Sequence, residues 1–388
     1  DIFLDGPGFG QMAEVFRPNG NWKILRDELG AVPMYFGYTE DDDLCFASEV
    51  KALAGISRRI HEVPPGSVII GGRKKRYFDL KAVPAERRDP VTARELLNVL
   101  TLAVSRRITT DTMGSWLSGG LDSSAIAAVA RPWLRRLHTF AGGLPGAPDL
   151  AAAREAARHI GSEHQEVVVQ FSDLLRVLPA VIYHLESFDP WLVRSSLINY
   201  LVAERASGFV DEVFSGEGGD ELFAGYDYLK SIPEEALTGE LLDITGRLHN
   251  TAMQRVDRCA SAHGLSAHVV FADPMVVGLA FSIPPGEKIR DGIEKWILRK
   301  AVEGLLPPEI AWRPKAKFWE GAGVDTMLTE HAAIAITDAD FRAERRLPNG
   351  WMHHSKEELF YYRIFRDFFG GLENLDWMGR TKGMPQME

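Results

Sequence analysis

The sequence predicts an α/β protein: a β-rich N-terminal part over residues 1–80, a linker at 81–92, and a parallel sheet with helical additions over 93–388. Three observations support that class. A length of 388 residues is enough for two units with separate cores. Strand and helix patterns alternate from residue 92 to about 214, the rhythm of a parallel sheet covered on both faces. Two glycine-rich runs directly follow strand patterns, which is where ligands of open α/β sheets bind.

The N-terminal part reads as strands and turns. Strand patterns fall at 22–25, 32–38 and 44–47, the last two separated by the polar turn Asp41, Asp42, Asp43. Another strand at 67–70 ends on Gly71 and Gly72, which places Arg73, Lys74, Lys75 and Arg76 on a solvated hairpin. Residues 81–92 are polar and carry Pro84 and Pro90, the composition of a linker. Beyond them, a helix at 92–107 leads to a strand at 113–117, an alanine-rich helix at 122–134 and a strand at 137–141. Helix 150–160, strand 166–169, helix 171–185 and strand 211–214 continue the pattern, and from about Tyr226 the chain turns mostly helical.

Composition narrows the function classes. The formal net charge of -10 gives no long-range attraction to phosphate backbones or anionic lipid, so neither nucleic acid nor a membrane is expected as a partner. No stretch reaches the ~18–20 apolar residues needed to cross a bilayer. The chain opens on Asp1 without a basic start, and a cytoplasmic protein is predicted. Cys45 and Cys259 read as two reduced thiols. His159, His164, His353 and His354 have no cysteine or acid at zinc spacing, and no GxSxG is present.

The chemistry concentrates in two loops. Ser118, Gly119, Gly120, Leu121, Asp122, Ser123 and Ser124 lie between a strand and a helix. Paired glycines let backbone amides approach an anion, the helix N-terminus adds partial positive charge, and Asp122 is placed to hold a magnesium ion. No Gly-Lys-Ser/Thr follows, so this is not a Walker loop, and no GxGxxG marks a dinucleotide site. The run resembles the SGGxDS loop of ATP pyrophosphatases, which cut ATP between its α and β phosphates. The second loop runs from Ser215 through Gly216, Glu217, Gly218, Gly219, Asp220 and Glu221 to Tyr226. Three carboxylates on tight turns repel one another unless a cation or proton sits among them.

With both loops in view, the chain resembles the asparagine synthetase B family and its relatives, the β-lactam synthetases and lasso-peptide cyclases. Further stretches carry the likeness: Arg26 and Asp27 with Leu29, Gly30 and Pro33; 47–53; 143–150; Tyr183, His184, Glu186 and Asp189; 294–299; and Trp312, Arg313, Pro314 and Lys315. The resemblance implies an incomplete Ntn-hydrolase-like amidotransferase part followed by an adenine nucleotide alpha-hydrolase-like synthetase domain. It implies ATP and magnesium as cofactors. Ser118, Gly119, Gly120 and Ser123 would grip the β and γ phosphates, and Asp122 and Asp220 would hold magnesium. Backbone groups near Leu117, Gly142, Ser215 and Gly216 would read adenine. Lys295 and Lys315 match residues that contact departing pyrophosphate, Glu217 matches the glutamate that organises adenylation or takes the nucleophile's proton, and Arg194 matches an arginine near the substrate carboxylate.

The implied reaction is adenylation of a carboxylate, with aspartate as the default, followed by attack of ammonia or an amine. Ring closure on an internal amine, as in β-lactam synthetases, and a non-catalytic descendant are the alternatives, and tRNA modification is disfavoured by charge. Two departures bear on substrates. The family's glutaminase uses an N-terminal cysteine, whereas Leu4, Asp5 and Gly6 resemble a motif well inside that domain, with Asp5 matching a glutamine-binding aspartate. Glutaminase activity is therefore not expected of these residues, and a separate glutaminase subunit or a homodimer is compatible with them. Trp191 and Leu192 replace two threonines before Arg194, which removes hydroxyl partners for a small polar acid and points to a larger or more apolar carboxylate as the alternative to aspartate.

Overall fold

Short apolar runs with exposed partners shape the N-terminal part of the structure, a computed structural model that describes residues 11–17, 22–83, 89–314 and 325–382. Asp5, Lys315 and linker residues 84–88 lie outside the described residues. Strands β1 (Ala13–Phe16), β2 (Lys23–Arg26), β3 (Tyr35–Tyr38), β4 (Leu44–Ala47), β5 (Ile60–Glu62), β6 (Ser67–Ile70) and β7 (Arg73–Arg76) form two antiparallel sheets, in orders β1-β2-β6-β7 and β4-β3-β5. Between them lies a small core of Ile24, Met34, Val63 and Ile69. Gly71 and Gly72 both have positive φ, which matches the two-residue turn favoured by strand twist. The basic run becomes the exposed edge strand β7, and charge on an edge discourages pairing with other chains. Strands β1 and β5 had no sequence signal, being short and dependent on distant partners for their pairing.

The second part is built on β8 (Thr112–Trp116), β9 (Arg136–Gly143), β10 (Glu163–Val168), β11 (Glu212–Ser215) and β12 (Ser266–Val269), in order β10-β9-β8-β11-β12. Every pair is parallel. β9 is buried at all but its first residue, as expected for a strand covered on both faces. One core includes the helices Ala93–Ser105, Leu121–Ala130 and Pro148–Ile160, and the other includes Phe171–Leu185 and Pro190–Ala206. The chain moves outward from β8 to β10, then returns to the other side of β8 with β11. The crevice at that reversal, at the carboxyl ends of β8 and β11, is where such sheets bind ligands.

The predicted helix 122–134 is observed as Leu121–Ala130 followed by a 3-10 turn Arg131–Trp133, because Pro132 cannot continue an α-helix. β12 interrupts the region predicted as mostly helical. Its four residues pair with β11, and His268 Nε2 lies 2.6 Å from Glu212 Oε2 across that seam. Both cysteines are free, and burial pushes the Cys259 thiol up to about 12. No helix among the described residues is long and apolar enough to cross a membrane.

Candidate active site

The loop after β8 is held open by its own hydroxyls. Ser118 Oγ and Ser123 Oγ lie 3.1 Å apart, Ser118 N–H donates to Ser123 Oγ at 3.2 Å, and Gly120 N–H donates to Ser118 Oγ at 3.3 Å. The helix Leu121–Ala130 starts here, and its first three residues line the cleft with the amides that a helix leaves without internal acceptors. Its N-terminus therefore offers a site for anionic oxygen.

The loop after β11 packs against the first loop backbone to backbone. A Cβ on Gly216 would stand 2.7 Å from Ser123 N and 2.8 Å from the Asp122 carbonyl carbon. Gly219 makes room for the Asp122 carboxylate in the same way, since a Cβ there would lie 2.6 Å from Asp122 Cγ. Glycine at these positions is what lets the two acid-bearing turns meet.

Between the turns sits Lys295, 2% exposed and in the left-handed region at φ 56°. Its Nζ lies 2.5 Å from Asp220 Oδ1 and donates to Asp122 Oδ2. The repulsion foreseen among the acids is thus relieved by a lysine 173 residues from Asp122. Glu217 has its own cation, Arg255, whose Nη2 donates to Glu217 Oε2 while Nη1 donates to Ser195 Oγ at 2.8 Å. The third acid, Glu221, is buried without a cation of its own among the described residues, and its carboxyl is pushed toward the neutral form. Burial first, then the nearby charges of Asp220 and Glu217, raise its pKa to about 8, and the Tyr226 hydroxyl donates to its Oε1 at 2.5 Å.

A basic rim faces the loops. Arg313 donates to Asp149 Oδ1 at 2.8 Å and to the Gly119 carbonyl at 3.2 Å. Arg299 fixes that segment by donating to the Ala311 and Arg313 carbonyls at 2.8 and 3.0 Å. On the other side Trp116, Phe140, Gly142 and Val202 make an apolar wall suited to a flat ring. Leu117 N–H already bonds the Phe140 carbonyl at 2.9 Å, so that amide serves the sheet.

Of the residues named from sequence, Leu117, Ser118, Gly120, Asp122, Ser123, Gly142, Ser215, Gly216, Glu217, Asp220 and Lys295 converge on this one cleft. Gly119 does not line it. It has φ 73° and packs on the helix Pro148–Ile160, where a Cβ would stand 2.4 Å from Ala152 C and Ala153 N. Arg194 does not line it either. Its Nε donates to Glu357 Oε1 at 2.7 Å and its Nη2 to Thr329 Oγ1 at 2.8 Å, away from the cleft lining. Glu357 is 2% exposed, and a carboxylate so buried requires a cation. Trp191 and Leu192 likewise lie outside the lining: both amides donate to Asp189, the N-cap, and the Leu192 side chain enters the core.

Asn199, Arg255 and Arg299 line the cleft and were missed from sequence. Arg255 gave no local signal, since an arginine on an amphipathic helix reads as surface. Among the described residues no group of three or more His, Cys, Asp or Glu is placed to hold a metal. Asp122 and Asp220 supply two carboxylates to one point, which suits magnesium. That ion takes one or two protein carboxylates and completes its shell from phosphates and water.

The sequence pattern of the asparagine synthase family matches residues 95–243 and 233–384. Asparagine synthetase B [glutamine-hydrolyzing] of Escherichia coli (strain K12) is 37% identical over 377 residues, covering 89% of this chain and 67% of that protein. Asparagine synthetase [glutamine-hydrolyzing] 2 of Lotus japonicus is 34% identical over 90% of this chain and 64% of its own length. The enzyme of the same name in Arabidopsis thaliana is 35% identical over 89% of this chain and 64% of its own length. The chain thus spans about two thirds of the length of these relatives.

Proposed function

The chain belongs to the asparagine synthase family, and from that premise we propose that it adenylates a carboxylate with ATP and transfers the acyl group to ammonia or an amine. The observation that carries this reading is the meeting of both glycine-rich loops at the reversal point of the sheet, with Lys295 between Asp122 and Asp220. A carboxylate oxygen attacks the α-phosphorus, the α–β bridge breaks, and pyrophosphate leaves. The nitrogen nucleophile then attacks the acyl carbon, AMP departs, and the amide forms with loss of one proton.

Each residue has a task in that sequence. The first-turn amides at 121–123 and the hydroxyls of Ser118 and Ser123 cradle the β and γ phosphates. Lys295 follows the negative charge from the aspartates to the leaving pyrophosphate, a movement suited to a point charge on a flexible stem. Asp122 and Asp220 would hold magnesium, which when bound neutralises charge on the polyphosphate. Glu217, gripped by Arg255, would accept the proton of the attacking nitrogen. Aspartate is the first acid to test, following the names of the relatives.

The test is ATP–pyrophosphate exchange with aspartate and a panel of larger acids, then product analysis with ammonium. AMP and pyrophosphate are expected. ADP as the product would refute the mechanism, and exchange with none of the acids would refute the function.

A further inference from the structure

One helix touches both the cleft and the N-terminal sheets. Ala252–Ser261 packs on the helices Phe171–Leu185 and Pro190–Ala206, and Gln254 Nε2 donates to the Leu185 carbonyl at 2.8 Å. At Arg255 this helix grips Glu217. One turn later Arg258, 1% exposed, donates to the Ser48 carbonyl at 2.6 Å and to Glu186 Oε2 at 3.0 Å, with Glu49 at 3.4 Å. Glu186 Oε1 in turn accepts from the Lys51 backbone N–H at 2.8 Å.

Residues 48–51, Glu186 and Arg258 therefore form one closed knot between the two parts of the chain, with Glu186 and Arg258 buried at its centre and Ser48 at the surface. Its composition is unusual for a merely stabilising contact. A buried ion pair gains little over apolar packing, yet breaking it by removing one partner is costly. Glu186 also holds φ 58° with a full side chain, a conformation that persists only where the surroundings enforce it. Both arginines project from the same face of the helix, three residues apart.

We propose that Glu186 and Arg258 are positioning residues that lock this helix to the 48–51 segment and thereby set where Arg255 holds Glu217. The N-terminal sheets then contribute to the chemistry of the cleft even when free ammonia is the nucleophile. The kinetic part of this inference rests on the adenylation reading above, while its structural part does not.

Two measurements test it on the full chain. Hydrogen–deuterium exchange is compared for the unmodified protein, Glu186→Gln and Asn374→Ala. Asn374 also bridges the two parts, bonding Ile60 N–H and C=O, and among the described residues it forms no hydrogen bond with residues 48–51, Glu186 or Arg258. Glu186→Gln is expected to raise exchange at 215–223 as well as at 252–261, and Asn374→Ala to leave 215–223 unchanged. Kinetically, Glu186→Gln lowers kcat with ammonia roughly ten-fold and leaves KM for ATP within about two-fold, because the group that loses its hold is the Glu217 side chain and not the phosphate loop. Unchanged exchange at 215–223 in Glu186→Gln overturns the proposal, and so does an equal rise in Asn374→Ala. Inactivity of the unmodified chain would count against the adenylation reading alone, since the exchange comparison still decides this one.

Discussion

Replacing Gly216 with alanine adds one methyl where the two loops touch. The new carbon would stand 2.7 Å from Ser123 N and 2.8 Å from the Asp122 carbonyl carbon, both backbone atoms. Ordinary contact begins at 3.4 Å, so the loops must part by about 0.6–0.7 Å. No rotamer change relieves a clash with backbone, so the start of the helix Leu121–Ala130 has to move. Overpacking of this kind costs about 1–3 kcal/mol. That lowers the melting temperature of a chain this long by roughly 1–4 °C. The kinetic effect is larger than the thermal one. Misplacing reacting groups by about 1 Å costs on the order of 100-fold, so Gly216→Ala is expected to slow ATP–pyrophosphate exchange by roughly 10–100-fold. Differential scanning fluorimetry and the exchange assay read the two effects separately. Exchange within two-fold of the unmodified protein, at an unchanged melting temperature, would refute the claim that these loops form one rigid cradle.

Three other perturbations have worked signs. Lys295→Met leaves Asp122 and Asp220 without the ammonium between them, at a cost of about 3–5 kcal/mol. Magnesium should raise the melting temperature of that variant more than that of the parent, and equal responses would argue against a shared metal point. Glu221 binds its proton more tightly folded than unfolded, from about 4.5 up to about 8, so its contribution is complete below pH ~4.5 and is lost as pH rises through ~8. Denaturant titrations from pH 5 to 8 should show the stability of the parent relative to Glu221→Gln falling as pH rises. Arg313→Ala removes the donor to the Gly119 carbonyl and the partner of Asp149, and should raise KM for ATP about ten-fold with kcat within about three-fold. A loss confined to kcat would place Arg313 in the transition state instead.

How much was legible depended on how far apart the interacting residues stand. The loops at 118–124 and 215–226 were readable because glycines crowded with acids or hydroxyls have few purely structural uses. The parallel sheet was readable from buried runs such as β9, and one helix, Phe171–Leu185, was predicted to the residue. The pairing of Arg194 with Glu357, 163 residues away, was not legible, because no local pattern reports such a partner. Arg255 was hidden for the same reason, since Glu217 lies 38 residues earlier on another element. The strand β12 is too short to announce itself without β11 beside it. Local chemistry was visible in the sequence, and the pairing of distant charges was not.

The bond between Asn374 and Ile60 has a consequence for the order of assembly. The Asn374 side chain offers Ile60 both a donor and an acceptor, so it completes β5 as a neighbouring strand would, from 314 residues further along the chain. Contacts this distant form late, because the closure of the intervening loop must come first. A chain emerging from the ribosome can pair β3 with β4 early, but β5 keeps an open seam until Asn374 has been made. The seam of β5 thus waits on a residue 314 positions later, and a product shortened before Asn374 would expose it.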